Sequence, residues 1–382
     1  MGTITAATAN ATERRTTPSA SYLTDAWYPA AWSEEVDDGL FGITLCDEQL
    51  VLVRGSDGAV SALSDICPHR FASLSTGERI EADRIQCPYH GLEFALDGRC
   101  VANPHGPVPG VVKLSTYRAV ERHSIVWIWN GDVSNADDSF IPDLSFLTEP
   151  SYRTVRGRLK TQANYELITD NLLDLTHVGY VHAGGIGSNA ISKAGHEVIL
   201  AGTTIFSNRW CPDAPAAPVW SALFGGYSDP VDHWLNMRWD APASMVLDVG
   251  VTPTGEPREQ GITTWGAHLL APETETSTHY LFAAARDFAL DDPALDGHLK
   301  FVLEQAFVAE DRPLLEQIAR NMKGRPFDAM RPLILPFDEA AVRARRLLAA
   351  FREGKKRKFA PRMAGWASFS RQPDREMPVR TH

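Results

Sequence analysis

The sequence predicts an α+β protein: an N-terminal all-β domain, followed by a catalytic domain with a central antiparallel β-sheet covered by helices. Three patterns carry this expectation. Short runs of β-branched and aromatic residues, separated by turn residues, fill the first third of the chain. Longer alternating runs occupy residues 196–288, as in an antiparallel sheet with one buried face. Helical periodicity marks a stretch ending near His182 and another from Asp296 to Met322.

The 382 residues suffice for two or three domains with sizeable cores. The net charge of −11 argues against a nucleic-acid binder. The longest strongly apolar runs, such as Ile125–Trp129, are strand-sized, so no membrane span is expected. Residues 1–20 have no apolar core of a secretory signal, and Ala6 stands where myristoylation prefers Ser or Thr; the segment reads as a disordered tail. Five cysteines, an odd number without a signal, disfavour a disulfide framework and suggest the reducing cytoplasm. Clustered Cys and His there indicate metal.

Order begins near Tyr22, where Trp27, Tyr28 and Trp32 anchor the chain on a core. Strands are expected at Leu40–Cys46, Gln49–Arg54 and Val60–Leu63, with turns at Asp47-Glu48 and Ser56-Asp57-Gly58. The β pattern resumes at Glu93–Leu96, Arg99–Ala102, Lys113–Val120 and Ser124–Trp129. Cys100 falls in a strand and reads as structural; His105, on a proline-rich loop, reads as a surface or hydrogen-bonding residue. Asp137-Asp138 and Pro142 mark a change of character, which bounds the β-domain at 21–150 and the second domain at 151–355.

Between the strands lie Cys67-Pro68-His69 and, with seventeen residues between, Cys87-Pro88-Tyr89-His90-Gly91. Each is a tight loop offering one thiolate and one imidazole, stiffened by Pro or Gly. Two chemistries fit: a tetrahedral structural zinc, or a [2Fe–2S] centre with Cys on one iron and His on the other. The C-x-H spacing, the Pro after each Cys and the flanking strands favour the cluster.

The second domain opens with a strand, Arg153–Lys160, leading into Asp170–His182, DNLLDLTHVGYVH. Leu167, Leu172, Leu173, Leu175 and Val178 form an apolar helical stripe, while Asn171, Asp174 and His177 recur every three residues as a polar ridge. His182 lies five residues after His177, off a straight helical face, and a bend at Gly179 would bring it round. The glycine-rich AGGIGSNA that follows lacks a dinucleotide fingerprint and reads as a lid. Sheet strands are expected at Thr203–Trp210, His233–Trp239, Ser244–Val249, Thr263–Leu270 and Ser277–Arg286, with Trp220, Phe224, Trp234, Trp239 and Trp265 as pocket candidates.

In the continuous helix expected over 296–322, Val308, Leu315 and Ile318 share a face, and Asp311 falls on it with Glu310 further round. A carboxylate on an apolar stripe needs a cation or hydrogen-bond partner. Two His and one Asp make the facial triad of non-haem Fe(II) enzymes, with positions open for O2 and water; His177, His182 and Asp311 supply such a set. The basic run from Arg343 to Lys358, leading into a tail at 356–382, reads as a solvated helix face, with a docking patch for an acidic redox partner as the alternative.

The motif CPHR…CPYHGLEF resembles the Rieske family, and a Rieske motif before a triad resembles the α subunit of the Rieske oxygenases over residues 22 to about 355. WYPAAWSEEV, DNLLDLTHVGYVH, HLLAPETETSTHY and FVAEDRPLLEQ are similar to the vanillate O-demethylase and dicamba monooxygenase branch, which works with an α subunit alone. The resemblance implies that Cys67 and Cys87 hold one cluster iron and His69 and His90 the other, and that His177, His182 and Asp311 hold the mononuclear iron. It implies that Asp174 hydrogen-bonds His90 of one subunit and His177 of the next within a head-to-tail α3 ring. Asn171 matches a position near the iron, and His268 a pocket histidine that can bond substrate. The implied activity is O2-dependent O- or N-dealkylation of a small aromatic compound with release of an aldehyde. Electrons come from NAD(P)H through a ferredoxin and/or flavin reductase, since no flavin or dinucleotide motif is visible here. Aromatic ring hydroxylation or dihydroxylation at the same irons, and a Rieske electron carrier with a non-catalytic binding domain, are the competing readings.

Overall fold

The computed structural model describes residues 21–354 apart from 82, 109 and 224–229. The expected tails 1–20 and 356–382, the basic residues Lys355–Lys358 and the pocket candidate Phe224 lie outside the described residues.

Before residue 150 the strands are β1 (Ala26–Trp32), β2 (Phe41–Leu45), β3 (Glu48–Arg54), β4 (Val60–Ser64), β5 (Glu78–Ile80), β6 (Arg84–Gln86), β7 (Glu93–Ala95), β8 (Cys100–Ala102), β9 (Thr116–Tyr117), β10 (Ala119–Arg122) and β11 (Ile125–Asn130). They form antiparallel sheets ordered β1-β11-β10, β2-β3-β4-β9 and β5-β6-β7-β8. The strand expected at Lys113–Val120 is split into β9 and β10. β1 is buried along its whole length, so it lacks the alternation that marks a half-exposed strand. The two Cys/His loops join β4 to β5 and β6 to β7.

The second half is built on a seven-stranded antiparallel sheet. Its strands are β12 (Arg153–Thr161), β13 (Gly195–Ala201), β14 (Thr204–Ala214), β15 (Val231–Asp240), β16 (Ser244–Pro253), β17 (Ile262–Thr274) and β18 (Ser277–Arg286), in spatial order β12-β18-β17-β16-β15-β14-β13. Its helices are α1 (Tyr165–Leu173), α2 (Val178–Val181), α3 (Pro218–Leu223), α4 (Pro293–Glu304), α5 (Arg312–Met322) and α6 (Glu339–Arg352). One hydrophobic core runs through both halves, joining Tyr28 and Leu45 to Leu270, Tyr280 and Phe307. The Cys46 and Asp47 N–H groups donate to the carbonyls of Pro272 (2.7 Å) and Glu273 (2.9 Å), which seats the N-terminal sheets on the β17–β18 hairpin.

The structure corrects three local expectations. The organising helix stops at Leu173, not at Gly179. Asp174 takes φ −100°, ψ 86°, its carboxylate accepts from the Thr176 N–H, and a 3-10 turn, Leu175–His177, precedes α2. A short Asp side chain offers the backbone this alternative to the helix. The helix expected over 296–322 is likewise not continuous: between α4 and α5 lies a π-helical turn, Gln305–Asp311. Pro313 lacks an N–H and its ring crowds the carbonyl four residues back, which accounts for the widened turn just before it. Finally, the basic run is not simply a solvated face. Arg345 donates to Asp170 (2.6 Å) and Glu166 (2.9 Å), and Arg352 to the Tyr165 hydroxyl (2.7 Å), so both clamp α6 onto α1.

Candidate metal centres

The two N-terminal loops repeat one backbone pattern. Cys67 N–H donates to Ala72 O (2.9 Å) and Cys87 N–H to Leu92 O (2.8 Å); Phe71 N–H returns to Cys67 O (2.9 Å) and Gly91 N–H to Cys87 O (3.1 Å). Closing each loop requires a left-handed residue at its fifth position, met by Gly91 (φ 69°) and by Phe71 (φ 63°). Both thiols are buried, and His69 and His90 face each other with ring centroids 4.6 Å apart. Burial pushes the Cys67 thiol up to about 11, against N–H groups of His69 and Arg70 that favour its thiolate. The buried Nδ1 of His90 has no hydrogen-bond partner among the described residues. Two thiols and two facing imidazoles, one with an orphaned nitrogen, suit a cluster with mixed Cys and His ligation. His105 Nε2 lies 3.1 Å from the His90 carbonyl and steadies the second loop, as its hydrogen-bonding role predicted.

Three donors converge in the second domain. His182 Nε2 is 3.2 Å from Asp311 Oδ2, His177 Nε2 is 3.6 Å from Asp311 Oδ1, and the ligand atoms of all three lie within 4.8 Å of one another. The break at Asp174 and the single turn of α2 carry His182 round to His177; the π turn carries Asp311 to both. Gly179 serves a different purpose from bending: a Cβ there would lie 3.0 Å from Ser188 O, so it admits the loop that follows His182. An imidazole–imidazole–carboxylate set on one side of a cavity suits a non-haem ferrous ion.

The surroundings orient each donor. Asn171 Nδ2 donates to Asp311 Oδ1 at 3.3 Å. Glu310 Oε2 lies 2.6 Å from His182 Nδ1, a role that α-helical spacing hid because the π turn rotates Glu310 toward the imidazole. His177 Nδ1 lies 2.5 Å from the main-chain carbonyl of Asp174. Within the subunit, therefore, the Asp174 carboxylate does not orient His177. It accepts instead from Thr176 Oγ1 (2.6 Å), with the buried Arg209 3.9 Å away. Burial holds His177 below its usual pKa. At His182 burial also opposes the charge, but hydrogen bonds and charges from Asp311 and Glu310 outweigh it and raise the pKa.

The triad opens on a cavity of about 120 Å³ lined by aliphatic residues with Trp220, Phe307 and His268. Strand alternation decides which candidates reach it. Thr264, Gly266 and His268 of β17 face the cavity, while Trp265 faces the opposite core and packs on Phe146, so it is not a pocket residue. Trp234 stacks on Trp210 beneath Arg258, and Trp239 is buried in the main core; neither lines the cavity. Tyr280, whose hydroxyl meets His268 Nδ1 at 2.5 Å, carried no sequence signal beyond its place in a strand.

Comparison with known proteins agrees with this geometry. Residues 26–117 match the Rieske [2Fe-2S] domain and residues 161–354 the vanillate O-demethylase oxygenase C-terminal domain. The chain is 41% identical to the dicamba O-demethylase oxygenase component of Stenotrophomonas maltophilia, over 85% of this chain and 96% of that one. It is 40% identical to the chloroacetanilide N-alkylformylase oxygenase component of Rhizorhabdus wittichii, over 86% of this chain and 94% of the relative. The crystal structure of dicamba monooxygenase bound to 3,6-dichlorosalicylic acid superposes with a TM-score of 0.83 at 40% identity, covering 87% of this chain and 98% of that one. No described helix is long and apolar enough to cross a membrane. The chain belongs to the Rieske non-haem iron oxygenases: it is the oxygenase component of a multicomponent oxidoreductase that uses a Rieske [2Fe–2S] cluster and a mononuclear iron, and is served by a reductase or ferredoxin.

Proposed function

We propose that this oxygenase removes an alkyl group from an oxygen or nitrogen of a small aromatic compound and releases it as an aldehyde. One observation carries the reading: His177, His182 and Asp311 lie in the wall of a largely apolar cavity, where an alkyl C–H can rest against the ligand set away from bulk water. Relatives named as an O-demethylase and an N-alkylformylase support the same reaction class. A cytoplasmic location, with reduced thiols and NAD(P)H at hand, fits it.

In this reading Cys67 and Cys87 hold one iron of the cluster and His69 and His90 the other, while His177, His182 and Asp311 hold the mononuclear iron. When bound, the two centres supply the electrons and the activation of O2 that insert one oxygen atom into an alkyl C–H bond. A methyl aryl ether, O2, two electrons and two protons give a phenol, formaldehyde and water. The hydroxylated methyl is a hemiacetal, and its bond to the ether oxygen breaks as its hydroxyl loses a proton. The electron pair originates in NAD(P)H and arrives through the separate reductase.

The chain's own groups set the geometry. Glu310 on His182 Nδ1 and the Asp174 carbonyl on His177 Nδ1 hold the N–H tautomers that leave both Nε2 lone pairs for the ion. Asn171 holds Asp311, and Leu172, Leu247, Val302 and Phe307 keep the cavity dry. His268 offers a hydrogen bond to a polar group of the substrate, with Trp220 packed along the apolar side.

The assembly we favour is a head-to-tail α3 ring. His69 is exposed at the tip of its loop beside Phe71 and Tyr89, which are 73% and 63% exposed. Tyr180, 76% exposed, lies close in sequence to Asp174 and His177. Docking the loop tips of one subunit on that region of the next would bring His90 to the Asp174 carboxylate and join the two centres. Such a contact is heterologous and closes by rotation.

The test supplies the iron-loaded protein with a surrogate reductase, NADH and a panel of aryl alkyl ethers and N-alkyl anilides. Dealkylation predicts aldehyde in step with O2 uptake; a cis-diol or ring-hydroxylated product without aldehyde would reject it. His177→Ala is expected to keep the cluster's visible and EPR spectra while losing mononuclear iron and turnover. Full turnover in that variant would favour an electron carrier.

A further inference from the structure

Strand alternation puts Ser207 and Arg209 on one face of β14, beneath the point where α1 breaks. Ser207 Oγ donates to the carbonyl of Leu173, the last residue of α1 (3.3 Å), and accepts from His196 Nε2 on the neighbouring strand (2.9 Å). Arg209 is 3% exposed, and its Nε and Nη2 find no hydrogen-bond partner among the described residues. Burial presses its pKa down, yet a guanidinium stays protonated in a folded protein. The titratable groups beside it on the sheet are neutral: burial and then Arg209 hold His196 at about 4, and burial pushes the Cys211 thiol up to about 12. A buried cation without hydrogen bonds is costly, so the fold should supply an anion to meet it.

The carboxylate that faces it is Asp174, whose Oδ1 lies 3.9 Å from Nη2, too far for a hydrogen bond. That Oδ1 already accepts from the Thr176 N–H (3.0 Å) and Oγ1 (2.6 Å), while no hydrogen bond reaches Oδ2 from the described residues. The Asp174 side chain is 22% exposed in the single subunit and that of Arg209 only 2%, so the cation stands on the inner side of the carboxylate. In the head-to-tail ring proposed above, the neighbour's loop tips would cover Asp174 and strip its water. A carboxylate so covered needs a charge partner that does not occupy the face taken by the neighbour.

We propose that Arg209 is the positioning residue for Asp174: on assembly its guanidinium closes onto Oδ1, joins Thr176 in holding that oxygen, and leaves Oδ2 to the neighbour's cluster histidine. This rests on the ring reading of the assembly, but not on which reaction the iron performs. Arg209 touches neither centre and acts through the carboxylate alone. It supplies the charge from the inner side, which explains a guanidinium kept buried with two nitrogens unpaired in the single subunit.

The test uses the full chain, iron-loaded, with Arg209→Gln, which removes the charge, Arg209→Lys, which keeps it, and each combined with Asp174→Asn. Melting curves and the cluster spectrum verify the fold of every variant. Sedimentation velocity over a dilution series reads assembly. Mixing the reduced protein with O2 and whichever compound of the panel drives O2 uptake fastest reads electron delivery from cluster absorbance. Arg209→Gln is expected to raise the dissociation constant of the ring and to slow electron delivery, each by about 10-fold. Arg209→Lys should stay within about 3-fold of the wild type in both. In the Asp174→Asn background Arg209→Gln should add less than about 2-fold to either. Thr176→Val, which removes another hold on Oδ1, should move both readouts in the same direction as Arg209→Gln. Arg209→Gln matching the wild type, Lys and Gln failing equally, or the same loss in both Asp174 backgrounds would overturn the assignment. The two failures differ in pattern. Asp174→Asn matching the wild type in assembly and electron delivery would sink the ring reading and this inference with it. A weakened, slow Asp174→Asn beside an unchanged Arg209→Gln would sink Arg209 alone.

Discussion

Glu310 and Asp311 grip opposite nitrogens of one imidazole: Glu310 Oε2 is 2.6 Å from His182 Nδ1, and Asp311 Oδ2 is 3.2 Å from Nε2. Adjacent residues on an α-helix project about 100° apart, and here the π turn brings both carboxylates to the same ring. The two acids thus have separable tasks. Asp311→Asn is expected to abolish iron retention. Glu310→Gln should weaken ferrous affinity by about 10- to 100-fold, as loss of a carboxylate partner behind a metal-bound histidine does, with little change in melting temperature. Iron content and chelator competition measure both; equal affinity in Glu310→Gln and the wild type would remove Glu310 from the site.

Asp174 separates main-chain from side-chain function. Its carbonyl orients His177, so Asp174→Asn should retain mononuclear iron and the cluster spectrum. If its carboxylate joins neighbouring subunits' centres, the same variant should slow electron delivery to the iron by at least about 10-fold, seen in single-turnover reduction followed by cluster absorbance. Loss of iron instead would assign the carboxylate a structural role.

Arg345 should matter to stability rather than chemistry. It bonds Asp170 and Glu166 and stacks over Phe327 at 4.0 Å, tying α6 to the helix that carries Asn171. Burial raises the pKa of Asp170 to about 6 despite Arg345, so removing the guanidinium leaves a half-buried carboxylate without its cation. Arg345→Met is expected to cost roughly 1–3 kcal/mol in denaturant unfolding, while the cluster spectrum is unchanged.

Stability should fall with acid as buried, neutral histidines are driven to charge. Burial, with Arg209 acting on His196 and neighbouring charges on His279, holds His196, His233, His268 and His279 at about 4 in the folded chain. Each binds a proton near pH 6.5 once unfolded. Their depressed pKa values therefore favour unfolding as pH drops from about 6.5 toward 4, and add nothing further below that. The thermal midpoint is expected to decline steeply across this window. A flat profile between pH 7 and 4.5 would contradict the burial of these rings.

Much of the site was legible in the linear chain, because ligand chemistry constrains residue type and short spacing. The loops Cys67–His69 and Cys87–His90 are local devices whose Pro and Gly residues write their own geometry. His177 and His182 likewise sit within one short segment. Less legible was anything that depends on how a turn departs from the regular helix: the break at Asp174, and the π turn that hands Glu310 to His182. Pro313 was the available signal for the latter.

By itself the sequence determined the fold class and the family, since these follow from periodicity, composition and motif. Only the tertiary structure decided which partners the candidate site residues meet. It turned Trp265 away from the cavity and His268 into it through the register of β17. The reason is physical: side-chain direction in a strand alternates with position, but which face meets the helices, and what stands opposite, is settled by packing between segments far apart in the chain.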